Sequence, residues 1–233
     1  FENKNAADGK TEKNVWLVHS GGFYLIEKQK SPQLMPQVLH WFKWESLITW
    51  VSGILLLGLM YYHGGMMVEL EDAKISAHAA MGLSLGLLLV GWAIYDFLWR
   101  SPLCKNDFVG VAISFALIVA LAYGLSKYFS GRALYMQLGA MLGTIMTANV
   151  WMRILPPQRK MVAALHAGNE PDPLLGERAK MRSKHNTFMA VPVVFIMISN
   201  HFPVTSYGDQ WNWVILSLLI LIGGGAAKII RKA

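Results

Sequence analysis

Seven histidines and one cysteine are distributed among long apolar stretches, and their places define the chemistry open to this chain. His63, His78 and His201 fall at one set of stretch ends, and His19, His40, His166 and His185 at the other. A b-type haem held between membrane helices takes axial nitrogens from facing helices at similar depth. His78 and His201 meet that depth condition; the alternative is a pair of interfacial imidazoles bonded to water or to carbonyls. His63, followed by Gly64-Gly65, reads as a loop residue. The other set has richer company. His40-Trp41-Phe42-Lys43-Trp44-Glu45 opens a helix, where i,i+4 spacing sets His40 beside Trp44 and Trp41 beside Glu45. A cation, an acid, an imidazole and two indoles within two turns suit a flat, anionic, hydrogen-bonding ligand. Lys43 and Glu45 at a membrane edge also suit plain snorkelling. Upstream, His19-Ser20-Gly21-Gly22-Phe23-Tyr24 offers a bend beside aromatic rings, and downstream Arg182, His185 and Asn186 stand at the mouth of another stretch. Cys104 is alone, with no CxxC and no CxxCH, so the chain carries no covalent haem c and no cysteine metal knot.

The elements that position these groups are six apolar stretches, at 38–62, 78–99, 108–126, 133–152, 187–201 and 211–227. A hydrocarbon core about 30 Å thick takes about 20 helical residues, which most of them supply. The 187–201 stretch is shorter and follows a polar segment that continues the same helix outside the lipid. Apolar residues make up 54% and charged residues 15%, well short of the charge of a soluble domain. The fold expected is an all-α integral membrane bundle of about six transmembrane helices. Residues 1–37 form an N-terminal interfacial segment, with 1–14 a polar loop, and 38–233 the bundle with a loop at 153–186. Alternating the spans puts 18 of the 21 Lys and Arg on one side, leaving Lys74, Lys127 and Arg132 opposite. The positive-inside rule assigns the basic side, with both termini, to the cytoplasm. The net charge of +7 therefore reads as topology, not as a surface for nucleic acid. Phe1 opens within a polar stretch without an initiator Met, as in a fragment or processed form.

Smaller features refine this outline. Pro156-Pro157 are expected to stop the fourth helix near 155, ahead of a short amphipathic helix over 158–167. Gly82/Gly86 and Gly139/Gly143 are small-xxx-small pairs that let helices approach, and Gly223-Gly224-Gly225 implies close packing or a kink. Asn149 and Asn200, as amides at membrane depth, are expected to bond neighbouring helices. Asp96 has Arg100 four residues on, an ion pair that suffices to explain it.

The runs GGFYLIEK (21–28), HWFKWE (40–45), SGRALYMQLGAMLGTIMTANV (130–150), PPQRKMVAALHAG (156–168), PDPLLG (171–176) and FIMISNHFPVTSYG (195–208) resemble the membrane domain of the bacterial cytochrome-c-linked urate oxidase (urate hydroxylase) family. The resemblance spans about residues 15–230. It implies a protein of the bacterial inner membrane that converts urate to 5-hydroxyisourate and passes electrons to a cytochrome c. The family's His-Gly-Gly-Gly-Phe-Tyr element corresponds to His19 through Tyr24, with Ser20 in place of the first glycine. The elements at 40–45, Arg182–Asn186 and 199–201 are intact. Three departures stand out: a further apolar helix expected before Phe1, a C-terminal span and cytochrome c domain, and a histidine expected where this chain has Gln137.

Under this resemblance His40, Lys43, Glu45 and His185 position or deprotonate the purine, and Phe23, Trp41 and Trp44 stack on it. His19, Tyr24, Arg182 and Asn186 complete the substrate shell; on matching depth, not on the resemblance, His78 and His201 are the candidate ligands for a haem b. The competing assignment is a non-catalytic accessory subunit inside a larger membrane electron-transfer or energy-transducing complex, which the three departures favour. A transporter is weaker, because no inverted repeat or pair of broken helices is visible.

Overall fold

The computed structural model describes residues 11–19, 22–29, 39, 41–69, 73–199, 201–203 and 210–231. Among the described residues, these α-helices order the chain: α1 Lys43–Leu57, α2 Ala77–Leu98, α3 Asp107–Leu125, α4 Gly131–Asn149, α5 Leu155–His166, α6 Pro173–Ser199 and α7 Asn212–Ile230. A π-helical turn, Gly58–His63, prolongs α1, and a second, Val150–Ile154, joins α4 to α5. Among the described residues, five helical segments are long and apolar enough to cross a bilayer: Lys43–His63, Ala77–Leu98, Asp107–Leu125, Gly131–His166 and Asn212–Ile230. The apolar part of α6 carries the 187–201 stretch as far as Ser199 and runs without a break from its polar first half, as the sequence implied.

Local chemistry sets the helix ends. Ser76, Asn106 and Ser130 cap α2, α3 and α4, accepting from the backbone N–H of Ala79 (3.2 Å), Phe108 (2.9 Å) and Ala133 (3.2 Å). Ser130 also donates to the Met66 carbonyl at 2.8 Å, which ties the loop after α1 to the start of α4. Gly65 ends the first span and Gly168 follows α5, each at positive φ (70° and 74°). Pro156 and Pro157 do not stop the fourth helix. They occupy the first turn of α5, where the missing N–H costs nothing, and the preceding π turn has already opened the hydrogen-bond ladder.

At the centre, α4 packs against α1, α2 and α6, with Leu134, Tyr135, Gln137 and Leu138 fully buried. Trp50 donates to Thr144 (2.9 Å) to dock α1, and the Tyr135 phenol donates to the Asn212 carbonyl (3.0 Å) at the start of α7. Both polar atoms of Gln137 are paired: its Nε2 donates to the Ser84 carbonyl (3.1 Å), its Oε1 receives the Ser84 hydroxyl, and Ser84 meets the Tyr62 phenol at 2.8 Å. A polar chain of this kind in lipid is what satisfies an amide placed there. Of the glycine pairs, Gly139 faces Ile196 of α6, where an added Cβ would stand 3.2 Å from the side chain. Gly82, Gly86 and Gly143 face open space, so three of the four do not mediate a helix contact in this chain. Gly223 does: a Cβ there would stand 2.9 Å from the Pro192 backbone, which makes it the close-approach point of α6 and α7.

One element departs from the expected all-helical order. Thr11–His19 and Gly22–Gln29 form an antiparallel hairpin, with Val15 opposite Ile26, Trp16 opposite Leu25 and His19 opposite Gly22. Residues 11–14, read as part of a polar loop, belong to its first strand. The runs VWLV and FYLI are rich in the aromatic and β-branched residues that suit a pleated ribbon. Apolar side chains such as Leu89, Phe97 and Phe108 project from the helical bundle, as lipid-facing residues do.

Candidate functional site

Contacts between helix starts and helix ends gather at two levels, one of them basic. At the basic level Asp96, near the end of α2, is buried and holds three guanidinium groups. Arg153 of the π turn grips it with two bonds (Nε to Oδ1 2.7 Å, Nη2 to Oδ2 2.5 Å), and Arg182 of α6 adds Nη2 to Oδ1 at 3.0 Å. Arg100, the partner expected from spacing, is the weakest of the three, at 3.6 Å and with its side chain 65% exposed. The i,i+4 explanation of Asp96 therefore fails, because a carboxylate out of water must be matched by buried partners. Asp96 with these three arginines leaves the cluster formally two charges positive, an environment suited to an anion.

Beside this cluster lies a shell of rings and amides. The Arg182 guanidinium covers the Tyr95 ring at 5.0 Å, and the Arg153 guanidinium lies 5.8 Å from the Trp92 ring. Tyr95 Oη meets His185 Nδ1 at 2.8 Å, and the Trp99 ring packs on His185 with centroids 4.0 Å apart. Asn149 Nδ2 donates to both Tyr95 Oη and Asn186 Oδ1 at 3.0 Å, and Asn186 Nδ2 donates to the Met146 carbonyl at 2.9 Å. Asn149 thus bonds neighbouring helices, as expected of an amide at that depth.

The helix α1 supplies a second wall. Trp44 meets Trp151 edge-on with centroids 5.6 Å apart, and Lys43 Nζ stands 5.2 Å from the Trp44 ring and 5.9 Å from that of Trp151. The π-helical segment is the hub of both walls. Its Trp151 faces Lys43 and Trp44, its Arg153 grips Asp96, and Asn149 just before it reaches Tyr95 and Asn186. A π turn shifts side chains relative to a regular helix and recurs at functional sites.

Several buried polar atoms here have no partner among the described residues: Arg182 Nη1, Trp92 Nε1, Trp151 Nε1 and Asn149 Oδ1. Three are donors and one is an acceptor. Buried groups left unpaired are costly, and a ligand with oxygens to accept and an N–H to give has the chemistry to pair such a set.

The expected residues are dispersed over the fold. Arg182, His185 and Asn186 share one network, and Lys43 and Trp44 stand on the wall facing Trp151. Trp41 is half-buried just before α1, and Glu45 is exposed in its first turn. His19, Phe23 and Tyr24 lie on the hairpin, where Phe23 is 75% exposed, and His40 and Asn200 lie outside the described residues. His78 and His201 are both exposed at helix ends of the opposite level. Exposed as they are among the described residues, His78 and His201 do not form an enclosed haem site there. Tyr95, Trp99, Trp151 and Arg153 were not anticipated. The available signal was the aromatic and charged run Tyr95–Arg100, together with a lone arginine inside an otherwise apolar stretch just before Pro156-Pro157.

His185 lies in the polar half of α6, before the apolar stretch. Burial, reinforced by the Arg182 and Lys184 charges and opposed by Asp107, lowers its pKa from the usual 6.5 to about 4. It is a neutral imidazole at physiological pH.

Comparison with known proteins adds one finding. The family model described as Urate oxidase N-terminal matches residues 1–232. No curated protein and no solved structure matches the chain.

Proposed function

Because the chain belongs to the urate oxidase N-terminal family, we propose that it is the membrane part of a respiratory-linked urate oxidase. The observation that carries this is the set of unpaired buried donors and acceptor at the basic level, beside arginines in excess over their carboxylate. Urate is flat, anionic at neutral pH, and edged by carbonyl oxygens and ring N–H groups. Arg182 and Lys43 supply positive charge, Trp151 and Trp92 supply N–H donors, and Asn149 Oδ1 supplies the acceptor. Trp44 and Trp99 offer faces for stacking. The reaction is urate plus water giving 5-hydroxyisourate, two protons and two electrons. The electrons leave to a cytochrome c domain or protein on the opposite side of the bacterial inner membrane. The protein is then multi-pass, with its basic level and substrate access in the cytoplasm.

The test is the full protein in native membranes supplied with urate and oxidised cytochrome c. The expected result is urate loss with two cytochromes reduced per urate and no peroxide. Urate loss that yields peroxide, or no cytochrome reduction in membranes that bind urate, contradicts the electron route.

A further inference from the structure

The amides of the site form a hydrogen-bond chain whose direction is fixed from one end. The Met146 carbonyl can only accept, so Asn186 must present Nδ2 to it, at 2.9 Å. Asn186 Oδ1 then faces Asn149 at 3.0 Å and must receive an N–H, which makes the facing atom Asn149 Nδ2. The second hydrogen on that nitrogen goes to Tyr95 Oη, also at 3.0 Å. An amide nitrogen cannot accept, so the phenol oxygen accepts here and keeps its own proton for its other partner. That partner is His185 Nδ1, at 2.8 Å.

We propose that Asn186, Asn149 and Tyr95 are positioning residues that lock His185 in the tautomer with a bare Nδ1 and a proton on Nε2. His185 then meets a ligand as a hydrogen-bond donor, not as a general base. Its role as donor at the purine site rests on the function proposed above; the lock itself does not. The surroundings agree with a ring held neutral. Trp99 packs on it at 4.0 Å, Arg182 lies over the adjoining Tyr95 ring, and Lys184 is occupied by Asp107 at 2.8 Å. Nε2 has no hydrogen-bond partner among the described residues, so its N–H is left for a ligand acceptor. The consequence is selectivity: a heterocycle presenting a carbonyl oxygen to Nε2–H is accepted, and one presenting an amino group is not.

The test uses the full chain in lipid, with nitrogen-15 in its histidines and His185→Gln to identify the resonances. The expected wild-type spectrum has Nδ1 bare and Nε2 protonated. Tyr95→Phe removes the donor while keeping the ring, and should give a mixture of tautomers. Asn149→Asp replaces a donor with an acceptor, turns the phenol around and should move the proton to Nδ1. A wild-type Nδ1–H, or a tautomer unchanged in Tyr95→Phe, overturns the lock; if Asn149→Asp does not fold, Tyr95→Phe decides. Urate affinity separates the two claims. His185→Gln, which keeps an N–H near Nε2, should bind within a few-fold of wild type, and His185→Leu about tenfold or more weaker. The stated tautomer without urate binding supports the lock and overturns the purine site. Urate binding with the opposite tautomer overturns the lock alone.

Discussion

Replacing Asp96 with Asn is the sharpest perturbation of the basic level, because it keeps the shape and removes the charge. Its side chain is 7% exposed and that of Arg182 is 4% exposed, so Asp96→Asn leaves a buried guanidinium without its counter-charge. Breaking a buried pair in this way costs about 3–5 kcal/mol. For a chain of this length each kcal/mol lowers the melting temperature by about 2–4 °C, so a fall of roughly 6–20 °C is expected. Arg100→Ala touches the same carboxylate from an exposed position and should cost less than about 1 kcal/mol. The double variant Asp96→Asn/Arg182→Gln should fall no further than Asp96→Asn alone, because the charge left stranded by the first change is removed by the second. Thermal unfolding of the purified protein in one detergent, followed by far-UV circular dichroism, measures all three. The reasoning is refuted if Asp96→Asn and Arg100→Ala are equally mild, or if the two changes in the double variant simply add.

Gly223→Ala should destabilise by about 1–3 kcal/mol through overpacking against Pro192, whereas Gly82→Ala, facing open space, should be neutral or slightly stabilising; thermal unfolding separates them. The lowered pKa of His185 gives a pH prediction. The folded state prefers the neutral ring, so the contribution is complete above the unfolded value near 6.5 and is lost as pH falls towards about 4. The melting-temperature difference between wild type and His185→Gln should therefore shift in favour of the variant over that window, and a difference constant with pH would contradict it. For topology, a cysteine placed at position 170 in a Cys104→Ala background should resist an impermeant thiol reagent on intact cells. Labelling from outside would place the basic level on the wrong side for urate supplied by the cytoplasm.

Span positions and the polar first half of α6 were legible because apolar length and composition are properties of contiguous residues. Of the hairpin only the bend within His19–Tyr24 was read, because strand pairing is not a local property. Asp96 shows why the site was harder. Its nearest charged partner in sequence, Arg100, is its weakest in space, and the partners that matter lie 57 and 86 residues away. The continuation of α4 through Pro156-Pro157 was hidden because it depends on a π turn that no residue pattern announced. Glycine spacing misled in the same way, since Gly82 and Gly86 have the right interval and nothing opposite them. By contrast, grouping Arg182, His185 and Asn186 at the mouth of one span anticipated the centre of the network.

Equilibrium binding of urate to the purified protein in lipid shows directly whether the unpaired groups around the π turn hold the purine. Wild type should bind, and urate at a hundredfold excess over its dissociation constant should stabilise the fold by about 2.7 kcal/mol. Trp151→Phe, which keeps the ring and removes one unpaired N–H, and Lys43→Ala should each weaken binding by about tenfold. Urate that binds wild type and both variants with the same affinity, or leaves all three unaffected, would contradict the account.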